Sequence, residues 1–318
     1  MPVELPTDLP TNSQFSTPLK IMTDALKKID SGREEKYHSL WSLAFQKILK
    51  DKVALTCLLI ICGYVLVAIM SKLGLIGANW AEAVAGSYAA PSSELWLGAD
   101  IFGRSVMVKT LVGTQVAVTV GLITVLISVP IGVFMGAIAG YYGGFIDDLI
   151  TWLYTTLASI PNIMLLISLT FVLGKGITSV YIALGITSWI GLCRMIRGEV
   201  MKHKNREYVQ AATAMGAGHG RKLFIHIIPN VFHIVIIESS LLFQMAVKSE
   251  VILSFLGLGS QDLPSWGKMI DEAKMELARG VWWQLAGATI AMFFLLLSLN
   301  LLGDALRDAL DPKLKGKD

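Results

Sequence analysis

Charge is scarce in this sequence of 318 residues. Charged residues make up only 16% of it, whereas 54% of the residues are hydrophobic and the mean hydropathy is +0.61. A composition this apolar excludes an ordinary water-soluble domain built around one packed core, and it predicts a membrane protein. The net charge of +3 is small, so nucleic acid is not an expected partner.

Cysteine is scarce as well, and its placement excludes the usual cysteine-rich sites. Cys57, Cys62 and Cys193 all lie inside apolar runs. They show neither the paired spacing of a zinc site nor the spacing of a secreted disulfide framework. We therefore expect small buried thiols and no metal ion.

The common catalytic motifs are absent. The sequence contains no GxxxxGK[ST] loop for nucleotide phosphates, no HExxH and no GxSxG. The stretch GAGHGRK at 216–222 has glycines and a lysine, but it lacks the spacing of a phosphate-binding loop and the strand that should precede one. We expect no catalytic residue in this chain and no cofactor bound to it.

Long apolar stretches make up most of the chain. A helix of about 20 apolar residues crosses a bilayer core of about 30 Å with all its backbone amides hydrogen-bonded. We therefore predict an all-α membrane protein with six transmembrane helices. The predicted spans are 53–70, 111–140, 149–173, 177–193, 227–256 and 282–302. The domains follow as a tail at 1–45, a first membrane helix within 46–75, an extracytoplasmic segment at 76–110, a membrane core at 111–305 and a tail at 306–318.

The distribution of Lys and Arg orients these spans. Basic residues are dense at 47–52, at 194–222 and at 307–317, and they are sparse in the other connections. Because such residues are retained on the cytoplasmic side, we predict that both termini are cytosolic. No apolar stretch with a cleavage site begins near Met1, so we expect no cleaved signal peptide and a loose cytosolic tail.

A small, basic, glycine-broken segment connects the fourth and fifth spans. It reads YVQAATAMGAGHGRKLFIHIIPN and is predicted to be cytosolic. Read as a helix, 206–215 places Ala211, Ala212 and Met215 on one small, weakly apolar face. Such a face suits docking in a groove of another protein, whereas the basic residues fit a simple cytosolic loop equally well.

The same segment contains its own helix breakers. Glycines at 216, 218 and 220 are predicted to end the first helix, because glycine accepts positive φ at low cost. A second helix is expected from about residue 221 into the membrane, with Pro229 in its first turns or at a kink.

The order of short motifs along the chain is specific. One spaced pattern resembles the EAA signature of permease subunits of ATP-binding cassette (ABC) importers. It consists of Gln-Ala-Ala, a Gly after three further residues, and a later Ile-Ile-Pro. WLGADIFGRSV, AIAGYYGGFID, HIIPN, LSFLGLG, PSWG and NLLGDALRDALDPKL resemble further blocks of the dipeptide and oligopeptide permeases, in the same order. These blocks are spread over roughly two thirds of the chain, so the sequence is identified as a member of that family.

The resemblance implies a type I ABC importer permease in the bacterial cytoplasmic membrane, surrounded by membrane lipid. Its implied partners are a homologous permease subunit, two cytosolic ATPase subunits that carry ATP and Mg²⁺, and an extracytoplasmic solute-binding protein. The EAA loop, at about 194–230, would dock in the ATPase subunit. The residues implied in this coupling are Gln210, Ala211, Ala212, Gly216, His226, Pro229 and Asn230. Dipeptides or oligopeptides are the implied cargo, and glutathione and nickel occur in the same branch.

Four positions depart from the family pattern. Gln210 stands where the family commonly has Glu, which removes a charge from the expected docking contact. Ala99, Ser105 and Gln115 replace the common Thr, Asp and Arg of the outer segments. Residue roles can therefore be carried over to the EAA loop more directly than to the outer loops.

Charged residues inside the predicted fifth span suggest a function by default, because they are costly in the bilayer. Glu238 lies well inside it, whereas Lys248 and Glu250 lie nearer its outer end. One interpretation is that Glu238 and Glu250 line the translocation path and attract a cationic group. The alternative is that Lys248 and Glu250 pair or reach the interface.

A self-sufficient secondary transporter or channel is the alternative function. That class predicts ion-coupling groups near the bilayer midplane, inverted repeats and no cytosolic docking loop. The sequence shows a docking loop and no convincing repeat, so the importer subunit is favoured.

Overall fold

The computed structural model describes residues 48–310, and the regular elements there are helices. The predicted tail at 1–45 and residues 311–318 lie outside the described residues. The helices are α1 (Lys52–Lys72), α2 (Val106–Tyr142), α3 (Gly144–Ala158), α4 (Asn162–Leu173), α5 (Ile177–Thr187), α6 (Trp189–Lys204), α7 (Glu207–Ala214), α8 (Ile228–Phe255), α9 (Trp266–Leu277) and α10 (Trp283–Leu310). The prediction of an all-α membrane protein is confirmed.

The apolar spans agree with six crossings when one bent pair is taken as a single span. Five helical segments are long and apolar enough to cross a membrane, and α3 and α4 together meet the same criteria with a bend of 87° between them. The bend falls at 159–161, inside the predicted third span. Pro161 explains it, because proline lacks an N–H donor and disfavours the helical conformation of the residue before it.

The fourth predicted span is longer than the apolar run suggested. The helical segment Ile177–Lys204 continues about three turns beyond Cys193, where basic residues begin. Lys and Arg are good helix formers, so the change from apolar to basic residues marks the membrane boundary without ending the helix. The first part of the predicted EAA loop is therefore the end of α6.

Helix α2 is central to the fold, since it packs against α1, α5, α6 and α8. Its contact with α6 is unusually close because Gly132, Gly136 and Gly140 recur at every fourth residue. A Cβ atom at Gly136 would lie 2.5 Å from the carbonyl oxygen of Cys193, and one at Gly140 would lie 2.6 Å from that of Arg197. Small residues at this spacing let two membrane helices approach backbone to backbone. Sequence analysis did not single out this glycine stripe, although its four-residue spacing is visible.

Two of the three cysteines are buried, as expected, but Cys62 is exposed on the outer surface of α1. Helix α1 is apolar around most of its circumference and only a small part of it is buried in the chain. A residue inside an apolar run therefore faces either the protein or its surroundings, and the run alone does not tell which.

The predicted extracytoplasmic segment, 76–110, includes the first residues of α2, whereas residues 73–105 contain no helix. A buried polar network holds this non-helical part against the membrane helices. Lys109 Nζ donates to Asp100 Oδ2 at 2.8 Å, to Glu272 Oε2 at 2.7 Å and to Gln284 Oε1 at 3.0 Å. Arg104 Nε donates to the same Asp100 oxygen at 2.7 Å. Burial by itself raises the pKa of Asp100, but the hydrogen bonds from Arg104 and Lys109 outweigh it and lower the pKa. Nothing in the local sequence around Lys109 indicates this role, because Glu272 and Gln284 lie 163 and 175 residues away along the chain.

The outer positions that depart from the family pattern accept local hydrogen bonds, Ser105 and Gln115 through their side chains and Ala99 only through its backbone. The Ala99 carbonyl accepts a hydrogen bond from Trp283 Nε1 at 2.8 Å. Ser105 caps α2 by accepting from the Val108 amide, the same role that Asp fills at helix N-termini. Gln115 accepts from the Ser71 hydroxyl at 2.9 Å and so links α2 to α1.

Candidate functional site

The short helix α7 presents two different faces. Its inner face carries Val209 and Ala212, which are 4% and 2% exposed. Val209 belongs to an apolar cluster that includes Ile196 of α6 and Val231 of α8. The prediction grouped Ala212 with Ala211 on an outward docking face; the structure instead buries Ala212, because it lies one turn from Val209 on the same side.

The outer face of α7 is small and accessible. Gln210 and Ala211 are exposed, and Met215, directly after the helix, is 81% exposed. Ala211 and Met215 are one turn apart, so they form a continuous apolar strip with one polar neighbour. A large, flexible and apolar methionine on such a surface is typical of a protein contact.

The turn after α7 is a Schellman motif. The Ala217 amide donates to the Ala212 carbonyl at 2.9 Å and the Gly216 amide donates to the Thr213 carbonyl at 3.0 Å, while Gly216 has φ +79°. Steric crowding does not require glycine at this position, since no atom lies within 4 Å of a Cβ built on Gly216. Positive φ is the reason for glycine here, and Gly218 and Gly220 do not share it.

The chain enters α8 through a widened helical turn. Residues Lys222–Ile227 are π-helical and continue directly into Ile228–Phe255, with Pro229 at its second position. Proline cannot donate to the carbonyl four residues earlier, and a π-turn accommodates the disrupted ladder. Asn230 Nδ2 donates to the His226 carbonyl at 2.6 Å, so its side chain satisfies part of this irregular turn. Pro229 and Asn230 therefore shape the entry into α8.

The side-chain amide of Gln210 donates a hydrogen bond that a glutamate could not donate. Its Nε2 donates to the backbone carbonyl of Asn205, the residue that ends α6, at 3.2 Å. A carboxylate only accepts hydrogen bonds when ionised, so Glu at this position would lose the contact. Gln210 thereby ties α7 to the end of α6 without an added charge.

A cleft of about 400 Å³ opens between the α3–α4 bend, the α5–α6 junction and α8. Most of its lining is apolar, but Arg194 of α6 and Glu238 of α8 both contribute to it. Glu238 is half-buried. The cleft thus combines an apolar wall with one group of each charge, and Glu238 stays the predicted path residue.

Glu250 does not reach this cleft. It is 1% exposed, and it accepts a hydrogen bond from the Ser254 hydroxyl one turn further along α8. Lys248 is exposed, and no ion pair joins the two within residues 48–310. The structure therefore places Glu238 and Glu250 in different environments, whereas one of the two interpretations of the sequence put both on a single path.

Several apolar spans, with an exposed helix connecting two of them, are the architecture of a multi-pass membrane protein. Residues 128–316 match the family described as "Binding-protein-dependent transport system inner membrane component". The chain belongs to this family, as the motifs predicted.

Individual members of curated transport systems are similar to this chain over most of its length. It is 34% identical to the dipeptide transport system permease protein DppC of Alkalihalophilus pseudofirmus, covering 89% of this chain and 93% of the relative. It is also 34% identical to the oligopeptide transport system permease protein OppC of Bacillus subtilis, covering 87% and 91%. The glutathione transport system permease protein GsiD of Salmonella typhimurium is 38% identical over 71% of this chain and 75% of the relative.

A solved structure confirms the fold independently. An inward-facing form of the MetNI methionine ABC transporter superposes with a TM-score of 0.52, covering 69% of this chain and 99% of the other. Sequence identity is only 15%, so the likeness concerns the fold alone. The predicted permease architecture is confirmed at that level.

Proposed function

We propose that this chain is the transmembrane subunit of an ATP-driven importer and that α7 is its docking helix for a separate ATPase subunit. The observation that carries the proposal is the two-sided character of α7. Ala211 and Met215 form an exposed apolar strip, whereas Val209, on the opposite side, packs in the cluster that includes residues of α6 and α8, and Ala212 is buried on that same side. A force applied to the outer strip would therefore reach the membrane helices through packed side chains.

The proposal assigns an orientation and a set of partners. The α7 side, with both termini, is cytosolic and faces two ATPase subunits that bind ATP and Mg²⁺. A homologous permease subunit completes the membrane pore, and a solute-binding protein delivers cargo on the outer side. The chain itself is not an enzyme in this scheme, because phosphate chemistry belongs to the ATPase subunits.

Import follows from alternating access in this scheme. Closure of the ATPase subunits on ATP would move α7, and the cluster around Val209 would carry α6 and α8 with it. The backbone contact between α2 and α6 makes these helices one packed body, so the cleft beside Glu238 would change its exposure. Hydrolysis would reset the inward-facing state.

Peptides are the proposed cargo. The relatives named for dipeptide and oligopeptide transport cover about nine tenths of this chain, more than those named for glutathione. A carboxylate in a mostly apolar cleft suits the amino terminus of a short peptide, and Glu238 is the proposed group. Specificity would reside chiefly in the binding protein, because a permease that held its cargo tightly would release it slowly.

The test substitutes the outer strip of α7 without disturbing the inner face. Ala211→Glu places a charge on the exposed side, and we expect loss of ATPase co-purification and of ATP-dependent peptide uptake in reconstituted vesicles. The matched control is Ala81→Glu, an equally exposed alanine in the 73–105 segment, which should keep the ATPase bound.

The same experiment distinguishes the proposed importer subunit from a self-sufficient secondary transporter or channel. Peptide uptake that persists without any ATPase would identify a secondary transporter or channel. Normal ATPase binding by Ala211→Glu would show that α7 is not the docking helix, even if transport requires ATP.

A further inference from the structure

A cavity of about 250 Å³ lies beside α7, on the side of the molecule predicted to be cytosolic. The ends of α2 and α6, one side of α7 and the turn before α8 all contribute to its wall. The polar groups on the wall are Tyr141, Lys204, Asn205, Thr213, His219 and Lys222. These four elements therefore meet at one small polar cavity. The proposed coupling movement requires the same four elements to stay together.

The lining has a consistent chemistry. Two lysines contribute to it, and none of its described lining residues is acidic. Lys204 Nζ lies 5.7 Å from the centre of the Tyr141 ring, and Lys222 Nζ lies 3.3 Å from the Thr213 hydroxyl oxygen. An ammonium group has three N–H donors, so both lysines retain donors beyond these contacts. The wall is thus rich in hydrogen-bond donors and in positive charge.

The wall is also preorganised. The Tyr141 hydroxyl oxygen and His219 Nδ1 are 2.9 Å apart, which joins the end of α2 to the turn before α8. Tyr141 is 4% exposed and packs in the same cluster as Val209. The Tyr141–His219 contact therefore fixes one part of the cavity wall, and the two lysines contribute other parts of it.

The cavity and the proposed docking strip use opposite sides of α7. Val209 and Thr213, which line the cavity, are one turn apart, whereas Ala211 lies between them in sequence and on the other side of the helix. An occupant of the cavity would therefore leave the outer strip accessible to an ATPase subunit.

We propose that this cavity binds a phosphate-bearing anion, with Lys204 and Lys222 as its charged contacts. Its surroundings suit an anionic phospholipid headgroup as one source, since Tyr142 is 50% and Phe145 is 80% exposed where α2 meets α3, as interfacial aromatics are. Soluble phosphate is the other source with the same chemistry. Either ligand would bridge the ends of α2 and α6 to α7 and so stiffen the coupling segment.

The experiment measures binding to the full-length chain in lipid nanodiscs and needs no transport activity. One arm uses radiolabelled inorganic phosphate with phosphatidylcholine nanodiscs. The other adds phosphatidylglycerol and measures by native mass spectrometry which lipid stays bound. We expect the double variant Lys204→Gln/Lys222→Gln to weaken binding by about tenfold or more in the arm that detects a ligand.

The matched control removes two neighbouring positive charges that do not line the cavity. Lys202→Gln/Arg221→Gln changes the net charge equally, and both side chains are exposed. We expect its binding to stay within about twofold of the wild type. Retention of phosphatidylglycerol alone assigns the site to lipid, and saturable phosphate binding without it assigns the site to soluble anions.

Three results would overturn the proposal. The wild type could bind neither probe, or the control pair could lose as much binding as the cavity pair. In the third, the Lys204→Gln/Lys222→Gln variant would bind both probes as the wild type does but would no longer co-purify with the ATPase. That result would assign the two lysines to the partner interface. Failure of the α7 docking test leaves phosphate binding measurable, so the two proposals can fail separately.

Discussion

The two ends of α2 are held by different kinds of interaction. Near its C-terminal end, Gly136 and Gly140 bring its backbone against α6, and apolar side chains fill the space around the contact. In its first turn, Lys109 lies buried between the nearby Asp100 and two partners from the distant helices α9 and α10, Glu272 and Gln284. One end is held mainly by close packing, with the Arg197–Asp147 ion pair beside it, whereas the other depends on buried charges that neutralise each other.

The difference shows how each end would respond to force. Close-packed helices move as one body, because their side chains interdigitate at crystal-like density. A buried ionic network behaves as a unit for another reason, since removing one member leaves the other charges without a partner or water. The α7 end is thus suited to transmit movement, and the outer end is suited to hold a fixed shape.

The largest effect is expected from breaking the ionic end. Lys109→Met would leave Asp100 and Glu272 with less compensation, and we expect a loss of about 4 kcal/mol in the free energy of unfolding. Thermal unfolding of the purified protein measures it. Lys274→Met removes the lysine of an exposed ion pair and should cost less than about 1 kcal/mol. Equal losses in the two variants would mean that burial does not strengthen the network.

The close-packed end should be nearly as sensitive. In Gly136→Leu the new Cβ would meet the Cys193 carbonyl oxygen at 2.5 Å, and we expect a loss of about 3 kcal/mol as α2 and α6 separate. Gly198→Leu, on α6 itself, has no atom within 4 Å of the new Cβ and is the control. Yield and thermal stability in detergent report the difference, and an unchanged Gly136→Leu protein would contradict the backbone contact.

A smaller change, in this case a gain in the free energy of unfolding, is expected when the charge of Glu276 is removed at the edge of the ionic network. Glu276 is 2% exposed, and neither of its carboxylate oxygens has a hydrogen-bond partner of good geometry within the described chain. Burial raises the pKa of Glu276 by more than the charge of Lys109 and the Ile101 backbone lower it. The folded state therefore holds a proton that the unfolded state releases above about pH 4.3. Stability should therefore fall as pH rises from that value towards the folded-state pKa.

Glu276→Gln should remove this dependence. We expect a gain of about 1 kcal/mol at neutral pH and a flatter profile between acid and neutral pH, measured by thermal unfolding across that range. Glu94→Gln, at an exposed position, should change neither. A Glu276→Gln protein that is less stable at neutral pH would show that the ionised carboxylate contributes to the network.

The smallest expected effect tests the tie between α6 and α7. Gln210→Ala removes the donor to the Asn205 carbonyl, which at an exposed site should cost about 0.5 kcal/mol and raise the hydrogen-exchange rate of α7 amides about twofold. Gln210→Glu keeps the size without the donor and should exchange similarly. Wild-type protection in both variants would mean that this hydrogen bond contributes nothing.

Sequence patterns predicted the membrane helices well, because apolar length reports on the bilayer directly. Their failures have local causes. Pro161 breaks the third span. The helical segment of the fourth span, Ile177–Lys204, continues through basic residues, because Lys and Arg favour helix as much as many apolar residues do. A hydropathy pattern detects where the chain leaves the membrane, whereas the end of a helix depends on capping and backbone geometry.

The candidate site was predicted in place but not in orientation. The EAA-like motif located α7 and its glycine turn within one or two residues. Ala211 and Ala212 look alike in sequence, and only the packing of Val209 determines which alanine faces outward. The same holds for Glu238 and Glu250, since both are carboxylates in one apolar run and only the neighbouring helices decide which one lines a cleft.

By itself the sequence determined the class of the protein, the number of apolar spans, the position of α7 and the family, because these depend on composition, length and ordered motifs. Tertiary structure alone decided which side of α7 is exposed, how closely α2 meets α6, and that Lys109 joins 73–105 to α9 and α10. These features depend on contacts between residues far apart in the chain. The free energy of such contacts comes from burial and complementary charge, which no local pattern records.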